Sequence, residues 1–166
     1  MRQTRKQLKR QALILTGRLP TRKMSMNRSK NGGIRRSNST QTIVATFLHM
    51  LSTVKLYHWK TMCFAAHKAT DELYTSLNEK IDHFVEVMLG KKELGGRTKL
   101  LNVPMIKLSI YSNIEAFIKQ IESYKAFLLD LSNDAVFGDL MNTDLLAIRD
   151  EILADFNQFL YLISLN

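Results

Sequence analysis

Apolar residues recur at steps of three and four along four stretches of the chain, the spacing that lines one face of an α-helix. From Gln41 to about Met62 the stripe is Ile43, Phe47, Leu51, Val54 and His58. From about Ala66 to Leu89 it is Ala66, Leu73, Leu77, Ile81, Phe84 and Met88, with Gly90 as the stop signal. A third helix is predicted behind a Ser112/Glu115 capping box, with Ile114, Phe117, Ile121, Tyr124 and Leu128 on its apolar face, ending near Leu131. The fourth starts near Thr143 and carries Leu145, Ile148, Ile152, Phe156, Phe159 and Ile163.

Four amphipathic helices of similar length lie side by side most simply as an all-α four-helix bundle over residues 41–166. The few residues between the first two helices make them antiparallel neighbours, whereas about 20 residues between the second and third can cross the length of the bundle. Composition agrees: 45% hydrophobic and 23% charged residues with seven Gly and two Pro exclude a collagenous, largely disordered or disulfide-stapled chain. The single cysteine, Cys63, forms no internal disulfide and no cysteine zinc site, which fits a reducing compartment. No apolar run reaches the roughly 18 residues of a membrane-spanning helix, so a soluble protein without a membrane partner is expected.

Charge divides the chain in two. Residues 1–40 hold twelve of the 24 Lys and Arg and no acidic residue, leaving twelve basic against 15 acidic residues in the remainder, so an arm of +12 precedes a body of −3. The arm's one apolar cluster, Ala12 to Leu15, is too small to pack a core, and a flexible basic arm is expected. Three roles fit it: binding nucleic acid or another polyanion, organelle targeting, or mere solubilisation. Under the first, Arg2, Arg5, Lys6, Lys9, Arg10, Arg22, Lys23, Arg35 and Arg36 would meet phosphates.

The second helix carries the most suggestive chemistry. With His67 at 0°, Asp71, Asp82 and Glu86 fall at about 40°, 60° and 100°, one strip along the side, whereas the core stripe centres near 280°. Asp71 and Asp82 stand eleven residues apart, about 16 Å along the axis, too far to share an ion whose donors approach to about 2.0–2.2 Å. Two copies with these helices antiparallel about a twofold axis would set each His67/Asp71 end against an Asp82/Glu86 end. His58, near the turn, could add a second imidazole. Imidazoles with hard carboxylates suit Fe(II), with Zn and Mn also admissible. Singly, each residue has a plainer reading: His58 as a core or interface histidine, His67/Asp71 as a surface pair, Asp82/Glu86 as part of a solvated face. His49 and His83 fall off these stripes and are expected to face solvent.

The stretch Leu56-Tyr57-His58-Trp59-Lys60, followed by His67, Asp71-Glu72-Leu73-Tyr74, Asp82 and Glu86, resembles the ferroxidase signature of the Dps miniferritins, including its four-eleven-four spacing, over roughly residues 43–90. The resemblance implies a ferritin-like bundle in a hollow homo-oligomeric shell, usually dodecameric and built from twofold dimers, that oxidises ferrous iron with hydrogen peroxide or oxygen and stores it. It implies that His58, His67 and Asp71 bind iron from one subunit and Asp82 and Glu86 from its partner, with Trp59 beside the site, no catalytic residue apart from these ligands, and a role in oxidative stress. It also implies that the arm binds DNA nonspecifically. A likeness to ferritin-like proteins of large DNA viruses accompanies it.

Three features depart from the family: a short His58–His67 interval, a short second connection and a long arm. The Glu-x-x-His pairs of other di-iron bundles, His-Glu-x-x-His, a P-loop and Gly-x-Ser-x-Gly are all absent. A cytoplasmic, nucleoid- or virion-associated miniferritin is therefore expected, unless the arm directs it to an organelle. The alternatives are an architectural DNA-condensing or virion-associated shell protein without ferroxidase activity, and a plain helical interaction module.

Overall fold

A computed structural model describes residues 40–91, 94, 97–98, 101–133 and 143–165. The basic residues of the arm, from Arg2 to Arg36, lie outside the described residues. Among the described residues four α-helices follow in order: α1 (Thr40–Lys60), α2 (Phe64–Gly90), α3 (Ile114–Asp130) and α4 (Thr143–Ile163), with a short 3-10 turn at Leu131–Asn133 after α3. No strand occurs among the described residues.

Ring and polar contacts give the helix directions. Phe47 meets Phe84, while His58 at the other end of α1 meets His67, so α1 and α2 are antiparallel. Tyr57 stacks on Phe117 at 4.0 Å and Phe47 packs edge-on against Phe127, so α3 also runs against α1. Phe117 meets Phe159 and Arg149 reaches Leu128, setting α4 antiparallel to α3. Helices α2 and α3, both opposed to α1, are therefore parallel, so the end of α2 at Gly90 and the start of α3 at Ile114 lie at opposite ends of the bundle. The first turn, Thr61 to Cys63, is short enough to force a hairpin; the second connection is a full-length crossover.

The core is the set of expected stripes, widened. On α2 the buried residues are Ala66, Thr70, Leu73, Leu77, Ile81, Phe84 and Met88. On α1 the buried face takes in Val44, Met50, Thr53 and Tyr57 besides Ile43, Phe47, Val54 and His58, while Leu51 is only half-buried. The α1 face is broader than a single stripe because α2 covers one side of it and α3 the other. Helix α3 is capped by Asn113, whose side chain accepts from the Ala116 amide at 2.9 Å, and not by Ser112. Ser112 instead accepts a 3.0 Å hydrogen bond from Lys60 Nζ on α1.

Polar clamps close the remaining faces. Asp155 on α4 accepts from Ser76 at 2.7 Å and Lys80 at 2.6 Å, both on α2. Buried Arg149 donates from one terminal nitrogen to the Leu128 carbonyl at 2.8 Å and the Ser132 hydroxyl at 2.7 Å, satisfying an end carbonyl of α3. The Asp150 carboxylate, 2.8 Å from Arg149 Nε, adds opposite charge but lies at an angle too poor for a hydrogen bond.

Candidate metal centre at the first hairpin

His58 enters the site from the last turn of α1 and His67 from the first turns of α2. The three-residue hairpin brings their rings into a stack with centroids 4.0 Å apart and planes 24° from parallel. Each ring is tied to the other's backbone: His58 Nδ1 lies 3.1 Å from the His67 carbonyl and His67 Nδ1 lies 3.0 Å from the His58 carbonyl. A carbonyl only accepts, so both Nδ1 atoms carry the proton. In the neutral rings both Nε2 lone pairs are then bare. The bond from His67 also supplies a partner to one of the last carbonyls of α1.

Buried Thr70, one turn along α2, hydrogen-bonds the Ala66 carbonyl at 2.7 Å and the His67 carbonyl at 3.1 Å, and approaches His58 Nδ1 at 3.4 Å. Such outer partners fix a ligand ring's tautomer and orientation. His58 is buried and His67 is exposed, so one ring is clamped inside the hairpin while the other covers it.

Asp71 completes the cluster. Its Oδ1 lies 3.7 Å from His58 Nε2, with the carboxylate half exposed. A bare imidazole lone pair and a carboxylate oxygen are both electron donors, and a cation placed between them would be attracted by both. Two donors each about 2.1 Å from one ion stand at most about 4.2 Å apart, and 3.7 Å lies within that span. The short His58–His67 interval thus does not prevent His58 from reaching the strip.

Asp82 and Glu86 are exposed further along α2, and His83 is exposed beside them. Among the described residues no group of three His, Cys, Asp or Glu side chains converges as a metal cage, so what one chain offers is partial: an imidazole–carboxylate pair with a second imidazole stacked on it.

Lys55 is a participant that the sequence reading missed. One turn before Trp59, its ammonium lies 4.0 Å from Asp71 Oδ1, 4.5 Å from the Tyr74 ring centre and 5.8 Å from that of Trp59. It thus supplies part of the cationic charge that the Asp71 carboxylate attracts. An i, i+4 Lys–Trp pair on α1 was the available signal. Beside it an open groove of about 450 Å³ runs along α1 between Leu48, Leu51, Trp59, Tyr74 and Leu108. Trp59 is 68% exposed there, and the neighbouring Met62 and Phe64 are also exposed.

His49 is a correction. Expected to face solvent, it is only partly exposed, with Nδ1 2.8 Å from the Tyr124 hydroxyl and Nε2 3.0 Å from Ser109 of the crossover. The crossover lies over this side of α1, which the helix's own periodicity does not reveal. Burial lowers the His49 pKa from its ordinary value. It raises that of Tyr124, against the smaller opposing effect of the hydrogen bond to Thr53.

The chain belongs to a family of unknown function, DUF5856, whose model matches residues 58–163. The matched span opens at His58 and closes with the last residue of α4. No curated protein and no solved structure matches the chain. No helix among the described residues is long and apolar enough to cross a membrane.

Proposed function

We propose that this member of the family is a Dps-like miniferritin: it oxidises ferrous iron at sites shared between twofold-related subunits, stores the product inside a homo-oligomeric shell, and binds DNA nonspecifically through its basic arm. The observation that carries the reading is the 3.7 Å approach of His58 Nε2 to Asp71 Oδ1, two electron donors facing one another where a buried ring meets a half-exposed carboxylate. Two further features support it. Asp82 and Glu86 share the strip with His67 and Asp71, so an antiparallel partner would bring two more carboxylates to each pair. One full-length crossover in a four-helix bundle is also the connectivity of ferritin-like folds, an argument by analogy of fold.

Iron is the substrate here. Two ferrous ions each give one electron to a peroxide, whose O–O bond breaks, and the ferric product hydrolyses. His58 and His67 would bind the incoming ion through Nε2, their Nδ1 protons held on backbone carbonyls, and Asp71 would offset its charge. In the arm, the twelve basic residues would displace counterions from phosphate without reading bases.

Lys55 favours a second reading. A tethered ammonium 4.0 Å from Asp71 can neutralise the carboxylate with no metal, as in an architectural shell that condenses DNA without ferroxidase activity. Anaerobic loading of the full chain with Fe(II), followed by peroxide, separates the two. Retained ferric iron that is lost in Asp71→Ala supports the first; no retained iron, or equal retention in the variant, refutes it. Replacing the nine named arm residues by Gln should abolish a DNA gel shift at modest salt, and an unchanged shift refutes the DNA role.

A further inference from the structure

Between α1, α3 and the crossover lies a polar chain that the proposed iron site does not use. Tyr124 is 3% exposed, and its ring packs against Phe156 with centroids 6.1 Å apart. Its hydroxyl lies 2.8 Å from His49 Nδ1 and 2.9 Å from Thr53 Oγ1, and His49 Nε2 lies 3.0 Å from Ser109 Oγ. Of the five tyrosines it is the one whose phenol is bonded to an imidazole among the described residues.

The order of groups makes a directed wire. With the Nε2 proton donated to Ser109, Nδ1 of neutral His49 is the phenol's shortest acceptor at 2.8 Å, ahead of Thr53 Oγ1 at 2.9 Å and the His49 carbonyl at 3.4 Å. The line leads from a buried phenol through one imidazole to a half-exposed hydroxyl on the crossover. Burial disfavours the phenolate, which opposes loss of the proton ahead of the electron. Burial also keeps the imidazole neutral near pH 7, with its acceptor free to take that proton. Thr53 and His58 are five residues apart on α1, about 7.5 Å along the axis, so the wire is anchored less than two turns from the candidate metal centre.

We propose that Tyr124, His49 and Ser109 form a proton-coupled redox relay that captures one-electron oxidants of the hydroxyl-radical class. The oxidant takes one electron from the Tyr124 ring and becomes hydroxide. The phenol O–H bond breaks, its proton forms an N–H bond at His49 Nδ1, and the Nε2 proton passes to Ser109, which releases its own to solvent. Hydroxide plus that proton is water, so the sum is phenol and hydroxyl radical giving phenoxyl radical and water. The source of the oxidant, ferrous iron meeting peroxide nearby, rests on the proposed function; the relay itself does not.

A photogenerated ruthenium(III) polypyridyl oxidant tests the relay on the full chain without iron, with the radical read by electron paramagnetic resonance and transient absorption. The expected result is a long-lived tyrosyl signal that forms more slowly in heavy water, is lost in Tyr124→Phe, and loses its solvent isotope effect in His49→Gln. Far-UV circular dichroism should show all three proteins equally helical. An undiminished signal in Tyr124→Phe, or an isotope effect unchanged in His49→Gln, overturns the proposal. Because no iron enters, failure of iron oxidation would leave this result standing, and failure here would leave the iron reading untouched.

Discussion

Replacing His58 by Ala should destabilise the bundle far more than replacing Asp71, although both stand in the same cluster. The His58 side chain is 9% exposed and that of Asp71 is 51% exposed. His58→Ala removes the hydrogen bond to the His67 carbonyl, about 1 kcal/mol net. It removes the 4.0 Å ring stack, about 0.5–1 kcal/mol more. A cavity the size of an imidazole adds about 1 kcal/mol, since one edge can refill with water. The sum is about 2.5–3 kcal/mol, a large share of the ~5–15 kcal/mol that holds a domain together. The His67 carbonyl keeps its bond from Thr70 at 3.1 Å, so no buried acceptor is orphaned and the figure should not rise further. Asp71→Ala loses only solvent-screened contacts at 3.7 and 4.0 Å and should stay within about 0.5 kcal/mol. Urea unfolding followed by circular dichroism reads both: a lower midpoint at unchanged slope for His58→Ala, and a wild-type midpoint for Asp71→Ala. Equal costs would mean that the carboxylate is part of a structural ion pair. A His58→Ala cost below about 1 kcal/mol would mean that the reciprocal clasp contributes little.

Three further outcomes follow from the packing. Phe47→Ala, which empties a fully buried ring wedged edge-on against Phe84 and Phe127, should cost about 3–5 kcal/mol in the same urea assay. Asp155→Ala should cost about 2 kcal/mol and Asp155→Asn about half of that, because Asn keeps an acceptor for Ser76 but loses the Lys80 charge pair, which water partly screens. Burial lowers the His49 pKa, so its contribution to stability is complete above the unfolded value of about 6.5 and is lost as pH falls through the lower folded value. Urea midpoints measured across that window should therefore vary less with pH in His49→Gln than in the wild type.

Much of the bundle was legible because each helix buries one face, and burial of one face imposes a 3.6-residue period whatever the neighbour is. The α2 stripe, from Ala66 to Met88, is the clearest case. The exposed strip on α2 was legible for the same reason, since angles around a helix follow from numbering alone. What depended on a second element was not. His49 is removed from solvent by a crossover without periodicity, so its position on α1 misleads. Asn113 takes the cap, while the Ser112 hydroxyl accepts from Lys60, a residue 52 positions away. Lys55 enters the candidate centre through rings on two helices, and the reciprocal bonds of His58 and His67 require the hairpin to close first. Apart from the Lys55–Trp59 pair, each of these contacts joins two different elements, and the period of a single helix carries no record of it.

The central claim is that two α2 helices from separate subunits lie antiparallel, with Asp71 opposite Asp82. That register sets Asn78 opposite Thr75, so two copies of Asn78 would lie only about 4.5 Å apart along the axis. Asn78 is exposed and is not among the proposed ligands, which makes Asn78→Cys in a Cys63→Ser background a direct probe. A short thiol crosslinker should convert this protein largely to covalent dimer, while His83→Cys, exposed outside the strip and about 20 Å along the axis from its own copy in this register, remains monomeric on a denaturing gel. Monomer alone from Asn78→Cys, or equal dimer from both, would contradict the shared site.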